Sequence, residues 1–253
     1  MIDSHAHLYF DWFDADREQV FDRARAAGVE RFVVVGIDPP SIDAALALGR
    51  ARADVSVAIG FHPNDLGKVD EKDWLALEAR FERGGIVAVG ETGLDYHHKD
   101  TTREQQFHGF RRHLDLARRF DLPVIVHCRD AWDDMLDFVA AEGRGTRGIM
   151  HCFSGDVRHM ERSIALGYDV SFAGPLTYRK SETLREVCRL APEDRIHIET
   201  DCPFLPPQEW RGKRNEPSYM TALIETIAAV RGTTPAAVDR FTTRNSKRLF
   251  GLP

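Results

Sequence analysis

The amino-acid sequence predicts an α/β protein, a closed (β/α)8 barrel of parallel strands, and three observations support this prediction. Short apolar or β-branched segments alternate with helical segments along the whole chain, which is the pattern of β-α-β units. Eight such segments occur, and 253 residues is the length typical of one barrel of this kind. Polar side chains end most of the segments. We therefore expect a single domain over residues 1–253, with its active site at the carboxyl ends of the strands.

The eight predicted strands are spaced so that a helix fits after each one. They are Met1–His5, Arg31–Gly36, Val55–Gly60, Ile86–Glu91, Leu122–His127, Gly148–His151, Tyr168–Phe172 and Arg195–Asp201. A doubly wound open sheet is the alternative arrangement of the same elements. The first strand is not followed by a Gly-x-Gly-x-x-Gly turn, which counts against a dinucleotide-binding sheet.

Several residues predict where helices begin and end. Asp14 can cap a first helix that stops at Gly28, and the segment Thr101–Glu104 has the spacing of a capping box. Gly143 and Gly167 each follow a helical pattern, so we expect both to adopt the left-handed conformation that often ends a helix.

Composition restricts the class of protein. The sequence is 43% hydrophobic and 29% charged, which is typical of a folded globular protein. Its net charge of −6 excludes a uniformly basic surface, so nucleic-acid binding would depend on local basic patches or bound metal. Four cysteines without a C-x-x-C motif, and no apparent leader or membrane-spanning segment, predict a cytoplasmic protein that does not bind membranes. In the absence of a heptad pattern we expect a monomer.

Histidine and carboxylate residues end most of the predicted strands. Taken singly, each has an ordinary structural explanation as a hydrogen-bonded histidine or a helix cap. Together at one rim of a barrel they predict a metal site, because so many buried titratable groups are costly without a cation. The predicted ligands are His5, His7, Glu91, His127, His151 and Asp201.

Four imidazoles and two carboxylates exceed the ligand set of one catalytic zinc and indicate two divalent ions about 3.5–4 Å apart. A carboxylate is the natural bridge between such ions, and Glu91 is the best placed. Asp201 can bind one ion and take the proton from the attacking water. The ligand types do not distinguish Mg²⁺, Mn²⁺ and Zn²⁺.

Basic residues near the predicted metal site are candidates for substrate binding. The run Arg211-Gly212-Lys213-Arg214 lies in the loop after the eighth strand, and Arg129 lies two residues beyond His127. Such a run is often simply a solvated surface, but here it could neutralise phosphate charge. We expect His62 to contact substrate rather than to act as a further ligand.

Three cysteines directly follow predicted ligands, which raises the alternative of a thiolate site. Cys128, Cys152 and Cys202 come after His127, His151 and Asp201 respectively. Because adjacent strand residues face opposite ways, we expect these thiols to pack outward against the helices.

The chain resembles the TatD family of metal-dependent deoxyribonucleases along essentially its whole length. The resemblance is carried by the motifs DSHAHL, GFHPND, VGETGLDYH, LPVIVHCRDA, MHCFSG, IETDCPFL, RGKRNEPSYM and TTRNSKRLFGL, in this order. It implies a TIM-barrel hydrolase of the metal-dependent hydrolase superfamily with 3′-to-5′ exonuclease activity on DNA. By motif it also implies that the six predicted ligands bind two ions, with Glu91 bridging them. The departures are Cys128 and Cys202, where the family more often has Ser, and Thr92, where an apolar residue is more usual.

Three functions are compatible with these features. Our leading hypothesis is hydrolysis of phosphodiesters in single-stranded or damaged DNA, with RNA as a further substrate. The second is an ester or amide hydrolase, such as an aminoacyl-tRNA deacylase. The third, a metal-binding scaffold without turnover, is disfavoured by the complete ligand set and the candidate base.

Overall fold

Eight parallel strands form one sheet whose neighbours follow chain order from β1 to β8. The computed structural model describes all residues 1–253. The strands are β1 Ile2–Ala6, β2 Arg31–Gly36, β3 Val55–Ile59, β4 Ile86–Asp95, β5 Val124–Arg129, β6 Gly148–Met150, β7 Tyr168–Phe172 and β8 Ile196–Ile198. The predicted (β/α)8 barrel is confirmed, and the open doubly wound sheet is excluded by the strand order.

The first and last strands come together through hydrogen bonds beyond the regular ladder. The Asp201 N–H donates to the His5 carbonyl at 2.9 Å, and the His7 N–H donates to the Cys202 carbonyl at 2.8 Å. These bonds close the barrel at the carboxyl ends of β1 and β8, which is the end where the sequence predicts the active site.

Helices cover the outside of the barrel. They are α1 Arg17–Ala26, α2 Pro39–Ala51, α3 Glu71–Glu82, α4 Arg103–Phe120, α5 Trp132–Glu142, α6 Val157–Ala165, α7 Glu182–Leu190, α8 Met220–Arg231 and α9 Pro235–Phe250. The last helix ends at the amino-terminal side of the barrel, where Leu249 and Phe250 pack with interior residues such as Val33 and Ile125. None of the nine helices has both the length and the apolar content needed to cross a bilayer.

Three of the predicted helix ends differ from the structure. Asp14 does not cap α1, because a 3₁₀ turn keeps it helical (φ −56°, ψ −37°) and its carboxylate accepts from Arg17 instead. The capping box of α4 lies one residue later than predicted, between Thr102 and Gln105. Gly143 has φ −84° and is not left-handed.

Two of the predicted helix ends agree with the structure. Gly28 and Gly167 both have φ +90°. In each case the glycine lies shortly after the last helical residue, at the position where a left-handed backbone stops the helix.

Candidate metal centre and its surroundings

The six predicted ligands come from five strand ends and converge at one end of the barrel. The Nε2 atoms of His5 and His7 are 3.1 Å apart. The Asp201 Oδ1 atom lies 3.6 Å from His5 Nε2 and 3.4 Å from His7 Nε2. The structure therefore brings together donors that lie almost 200 residues apart in the chain.

Glu91 stands between two groups of histidines, and each of its oxygens faces one group. Oε2 lies 3.4 Å from His5 Nε2 and 3.9 Å from His7 Nε2. Oε1 lies 2.9 Å from His127 Nδ1 and 2.8 Å from His151 Nε2. A carboxylate in this position can contribute one oxygen to each of two neighbouring cation sites.

An irregularity in β4 places Glu91 in the barrel. The neighbouring Val89 side chain packs outward in the main core, so simple alternation would send Glu91 outward as well. The register with β5 shifts between Val89 and Thr92, and Gly90 has φ +133°. An added Cβ on Gly90 would lie 2.5 Å from the carbonyl oxygen of Ile125, so the close strand approach at this shift requires glycine.

Asp201 is held beside β1 by a network around Thr200. The Thr200 N–H and hydroxyl donate to the Asp3 carboxylate at 2.9 and 2.6 Å. The Asn215 side-chain amide donates to the Thr200 carbonyl at 2.9 Å. Asp201 itself has φ +55°, and this turn directs its carboxylate toward His5 and His7.

Two carboxylates that the sequence interpretation missed, Asp95 and Glu199, orient the histidines. Asp95 Oδ2 lies 3.0 Å from His127 Nε2, and Glu199 Oε1 lies 3.1 Å from His151 Nδ1. If the proton of each neutral imidazole is on these atoms, His127 Nδ1 and His151 Nε2 present lone pairs toward Glu91. The sequence contains features that point to both residues. Asp95 belongs to the VGETGLDYH motif, and Glu199 lies two residues before Asp201, so the two share a face of the predicted eighth strand.

His7 is oriented in the same manner, but by a backbone group. Its Nδ1 atom lies 2.9 Å from the Val35 carbonyl, so this nitrogen is the donor and Nε2 is free to bind. The Nδ1 atom of His5 is buried and has no hydrogen-bond partner.

The carboxylates of this site lie beside imidazoles and hydrogen-bond donors, without a Lys or Arg partner. Glu91, Asp95, Glu199 and Asp201 form no ion pair with Lys or Arg. Burial raises the pKa of Glu91, but the neighbouring imidazoles, with His151 foremost, outweigh burial and hold this pKa well below its usual value. Burial likewise raises the pKa of Asp201, but the hydrogen bond from His7 and the charges of His5, His151 and His7 together outweigh burial and lower this pKa below its usual value.

This donor set fits divalent cations. The groups whose ligand atoms lie within 4.8 Å of one another are His5–His7–Asp201, Glu91–His127–His151, His5–His151–Glu199 and His62–Asp95–His127. Imidazole nitrogens and carboxylate oxygens facing one another without basic partners are the groups that borderline and hard divalent ions bind. Cations would also offset the cost of burying several negative charges together.

The residues predicted to bind substrate divide into two groups. His62 lies beside the ligands, with its Nε2 atom 3.5 Å from Glu91 Oε1, and burial lowers its pKa to about 3. Arg129, Arg211 and Lys213 are exposed and make no ion pair. The guanidinium of Arg211 lies over the Tyr178 ring at 4.6 Å from its centroid.

Arg214 has contacts that the sequence interpretation did not anticipate. Its guanidinium donates to both carboxylate oxygens of Asp16, at 2.7 and 2.8 Å, and to the Trp12 carbonyl at 2.6 Å. It also lies over the Phe13 ring. These contacts fasten the loop after β8 to the start of the chain, so the geometry does not support the predicted role of Arg214 in substrate binding.

Two of the three cysteines that follow predicted ligands pack outward from the barrel, as predicted. Cys128 and Cys202 are buried in the main apolar core. Cys152 differs, because φ +44° breaks the alternation and leaves it half-buried. Burial raises the pKa of the Cys152 thiol well above its usual value, and the charges of Asp201, Glu199 and Glu91 raise it further. Its thiol is therefore protonated rather than a thiolate.

A parallel barrel with imidazoles and carboxylates clustered at the carboxyl ends of its strands defines the class of metal-dependent hydrolases. Comparison with known proteins agrees with this class. The family model described as "TatD related DNase" matches residues 2–251. The chain therefore belongs to the TatD family.

Individual relatives support the same assignment. The chain is 40% identical to an uncharacterized metal-dependent hydrolase, YabD, of Bacillus subtilis, covering 100% of this chain and 99% of that protein. It is 32% identical to a protein of Erwinia billingiae named 3′-5′ ssDNA/RNA exonuclease TatD, covering 100% of both. The crystal structure of YJJV, a TatD homolog from Escherichia coli K12, superposes with a TM-score of 0.95 at 30% identity, covering 100% of this chain and 98% of that one.

Proposed function

We propose that the protein is a 3′-to-5′ exonuclease that hydrolyses single-stranded or damaged DNA, with single-stranded RNA as a second substrate. The observation that carries this proposal is the arrangement of charge. A centre of buried carboxylates and imidazoles has no Lys or Arg partner, whereas Arg129 at the end of β5 and Lys213 in the loop after β8 are exposed without acidic partners. The Erwinia relative named as a 3′-5′ ssDNA/RNA exonuclease supports this choice of substrate.

In this proposal, one divalent ion would be held by His5, His7, Glu91 and Asp201. A second ion would be held by Glu91, His127 and His151. The division follows from the two oxygens of Glu91, which face different histidines. Asp95 and Glu199 keep His127 and His151 in the tautomers that present a lone pair to the cation.

When bound, the two ions lower the pKa of water and stabilise the negative charge that develops on the phosphoryl group. The reaction adds the oxygen of a water molecule to phosphorus and breaks the P–O3′ bond, releasing a 5′-mononucleotide and leaving a 3′-hydroxyl on the strand. The Asp201 carboxylate, which is ionised at neutral pH, accepts the proton of the attacking water. The departing O3′ atom takes up a proton to become the hydroxyl.

The substrate is positioned by residues around this centre. His62, which is neutral because of its lowered pKa, can donate or accept a hydrogen bond without adding charge beside Glu91. Arg129, Arg211 and Lys213 supply positive charge to phosphates farther along the strand.

The test compares metal-reconstituted wild type with Glu91→Ala, using single-stranded DNA labelled at the 3′ or 5′ end and an aminoacyl-tRNA. The exposed Glu18→Ala serves as the matched control. We expect stepwise loss of nucleotides from the 3′ end by wild type and control, and none by Glu91→Ala. Intact DNA with release of the amino acid would contradict the proposal and assign a deacylase.

A further inference from the structure

Aromatic rings extend from the candidate metal centre to the surface. The Phe10 ring lies 5.8 Å from His7 and 5.7 Å from Phe204, between centroids. The Trp12 ring lies 5.8 Å from Phe204. We call Phe10, Trp12 and Phe204 the aromatic ledge. It begins one ring away from a predicted ligand and ends in solvent.

The outer part of the ledge is unusually exposed for aromatic side chains. Trp12 is 55% exposed and Phe204 is 41% exposed, whereas the other large exposed hydrophobic residues, Leu75 and Leu190, are aliphatic. Exposed aromatic rings that adjoin a functional site commonly mark a binding surface. Their apolar area stays in contact with water in the free protein and is removed from water when a partner covers it. Trp12 and Phe204 therefore need an occupant that offers a flat apolar face.

Hydrogen bonds from the loop after β8 hold the backbone of the two exposed ledge residues. Arg214 donates to the Trp12 carbonyl at 2.6 Å, and the Asn215 amide donates to the Phe204 carbonyl at 2.7 Å. Both donors belong to the loop after β8. The loop after β8, which also contains Asp201, therefore contacts the backbone of both exposed aromatic residues.

Charge identifies the kind of occupant. The loop that contributes Phe204 also carries Arg211 and Lys213, which are exposed and make no ion pair. A ligand that combines flat rings with a chain of negative charges matches this pairing of aromatic and basic side chains. Single-stranded nucleic acid has both features, since every unpaired base offers a π-face and every linkage carries a phosphate.

We propose that the aromatic ledge stacks on an unpaired base next to the phosphodiester held at the metal centre. This inference rests on the proposed function and deepens it, because it gives the site a physical reason to prefer single strands. In a duplex both faces of each interior base are already stacked, so only an unpaired end can place a base on Trp12.

The test measures binding separately from hydrolysis. The probe is a single-stranded oligonucleotide with nuclease-resistant phosphorothioate linkages and 2-aminopurine near its 3′ end, added to the metal-loaded protein. We expect Trp12→Ala and Phe204→Ala each to weaken binding about tenfold, which is within the range for loss of one base-aromatic stack. Trp12→Phe should recover part of the affinity, and Leu75→Ala, an exposed residue on α3, should match wild type.

An oligonucleotide that is abasic at the same position distinguishes stacking from a structural effect. Wild type should prefer the base-bearing probe, and Trp12→Ala should lose this preference. Equal losses on both probes, or wild-type affinity in both alanine variants, would overturn the proposal.

An assay with unmodified end-labelled DNA tests the stacking proposal and the exonuclease proposal separately. If wild type does not hydrolyse this DNA but still prefers the base-bearing probe, the ledge stands and the exonuclease assignment fails. If the DNA is degraded and Trp12→Ala retains the wild-type KM, the ledge fails while the exonuclease stands.

Discussion

His127 and Asp95 are joined by a contact of 3.0 Å between the imidazole Nε2 atom and the carboxylate Oδ2 atom. Asp95 is almost completely buried and also accepts from the backbone N–H groups of His97 and His98. These contacts fix the carboxylate, which in turn fixes the ring of His127. The opposite nitrogen, Nδ1, is thereby directed at Glu91.

We predict that Asp95→Asn weakens metal binding about 10- to 100-fold, because the amide no longer selects the tautomer that binds through Nδ1. Competition with a coloured chelator measures this affinity without any substrate. Asp130→Asn is the control, since Asp130 lies on the nearby loop but is exposed. Wild-type metal affinity in Asp95→Asn would show that the contact is merely structural.

His127 and His62 are neighbours, with ring centroids 4.5 Å apart, but we predict different roles for them. His127→Ala should reduce the metal content by about one ion per chain, because a site with few protein ligands loses one of them. His62→Ala should keep the wild-type metal content and raise the KM for DNA. Elemental analysis of the dialysed proteins measures the number of metal ions per chain. Loss of metal in His62→Ala would show that His62 is a ligand.

The strands and the six converging residues could be predicted because each depends on local sequence. An apolar run predicts a strand, and a polar residue at its end predicts a position at the rim of the barrel. Glu91 is an exception, since alternation alone would direct it outward and only the register shift at Gly90 brings it inward.

Other features depend on partners or turns that a local pattern does not contain. The carboxylate that engages Arg214 belongs to Asp16, which is 198 positions away in the chain. A run of basic residues looks the same in the sequence whether its members are paired or free. Cys152 departs from the outward pattern because of a left-handed backbone angle at a position that is not glycine.

In the loop after β8, we expect Lys213 to contribute to DNA binding and Arg214 to contribute to the stability of the fold. Lys213→Ala should weaken DNA binding. The slope of the logarithm of the binding constant against the logarithm of the salt concentration should fall in magnitude by about one, because one phosphate contact is lost. The free energy of unfolding of this variant should equal that of wild type, since Lys213 is exposed and unpaired. Fluorescence anisotropy at several salt concentrations provides the slope. An unchanged slope would remove Lys213 from the path of the substrate.

Arg214→Ala should behave in the opposite way. Loss of the paired contacts with Asp16 should lower the free energy of unfolding by about 1 kcal/mol, a modest value because the pair is partly solvated. Metal content should stay unchanged. Urea denaturation measures the effect, and a stability equal to wild type would indicate that the hydrogen bonds of Asn215 hold the loop without Arg214.

A last prediction concerns Asp169, which is buried at the amino-terminal end of the barrel, away from the candidate metal centre. Its carboxylate contacts His197 Nε2 at 2.9 Å, Arg195 at 2.8 Å and Arg248 at 3.0 Å. Burial raises the pKa of Asp169, but the hydrogen bond and charge of His197, followed by those of Arg195, outweigh burial and lower it below its usual 3.8. The folded state therefore binds a proton at this carboxylate less readily than the unfolded state does.

The sign of the pH dependence follows from this difference. A carboxylate whose pKa is lowered by folding contributes stability that is fully present above its unfolded pKa and is lost as the pH falls through the folded value. We predict that Asp169→Asn lowers the free energy of unfolding at pH 7 by about 3 kcal/mol, because His197 and Arg195 lose a buried anionic partner. The deficit should shrink below about pH 4. Asp137→Asn, which breaks an exposed pair with Arg162, should cost less than about 1 kcal/mol. Urea denaturation of the three proteins at pH 7 and pH 3.5 tests this, and a deficit that is the same at both pH values would show that Asp169 acts through packing rather than through its charge.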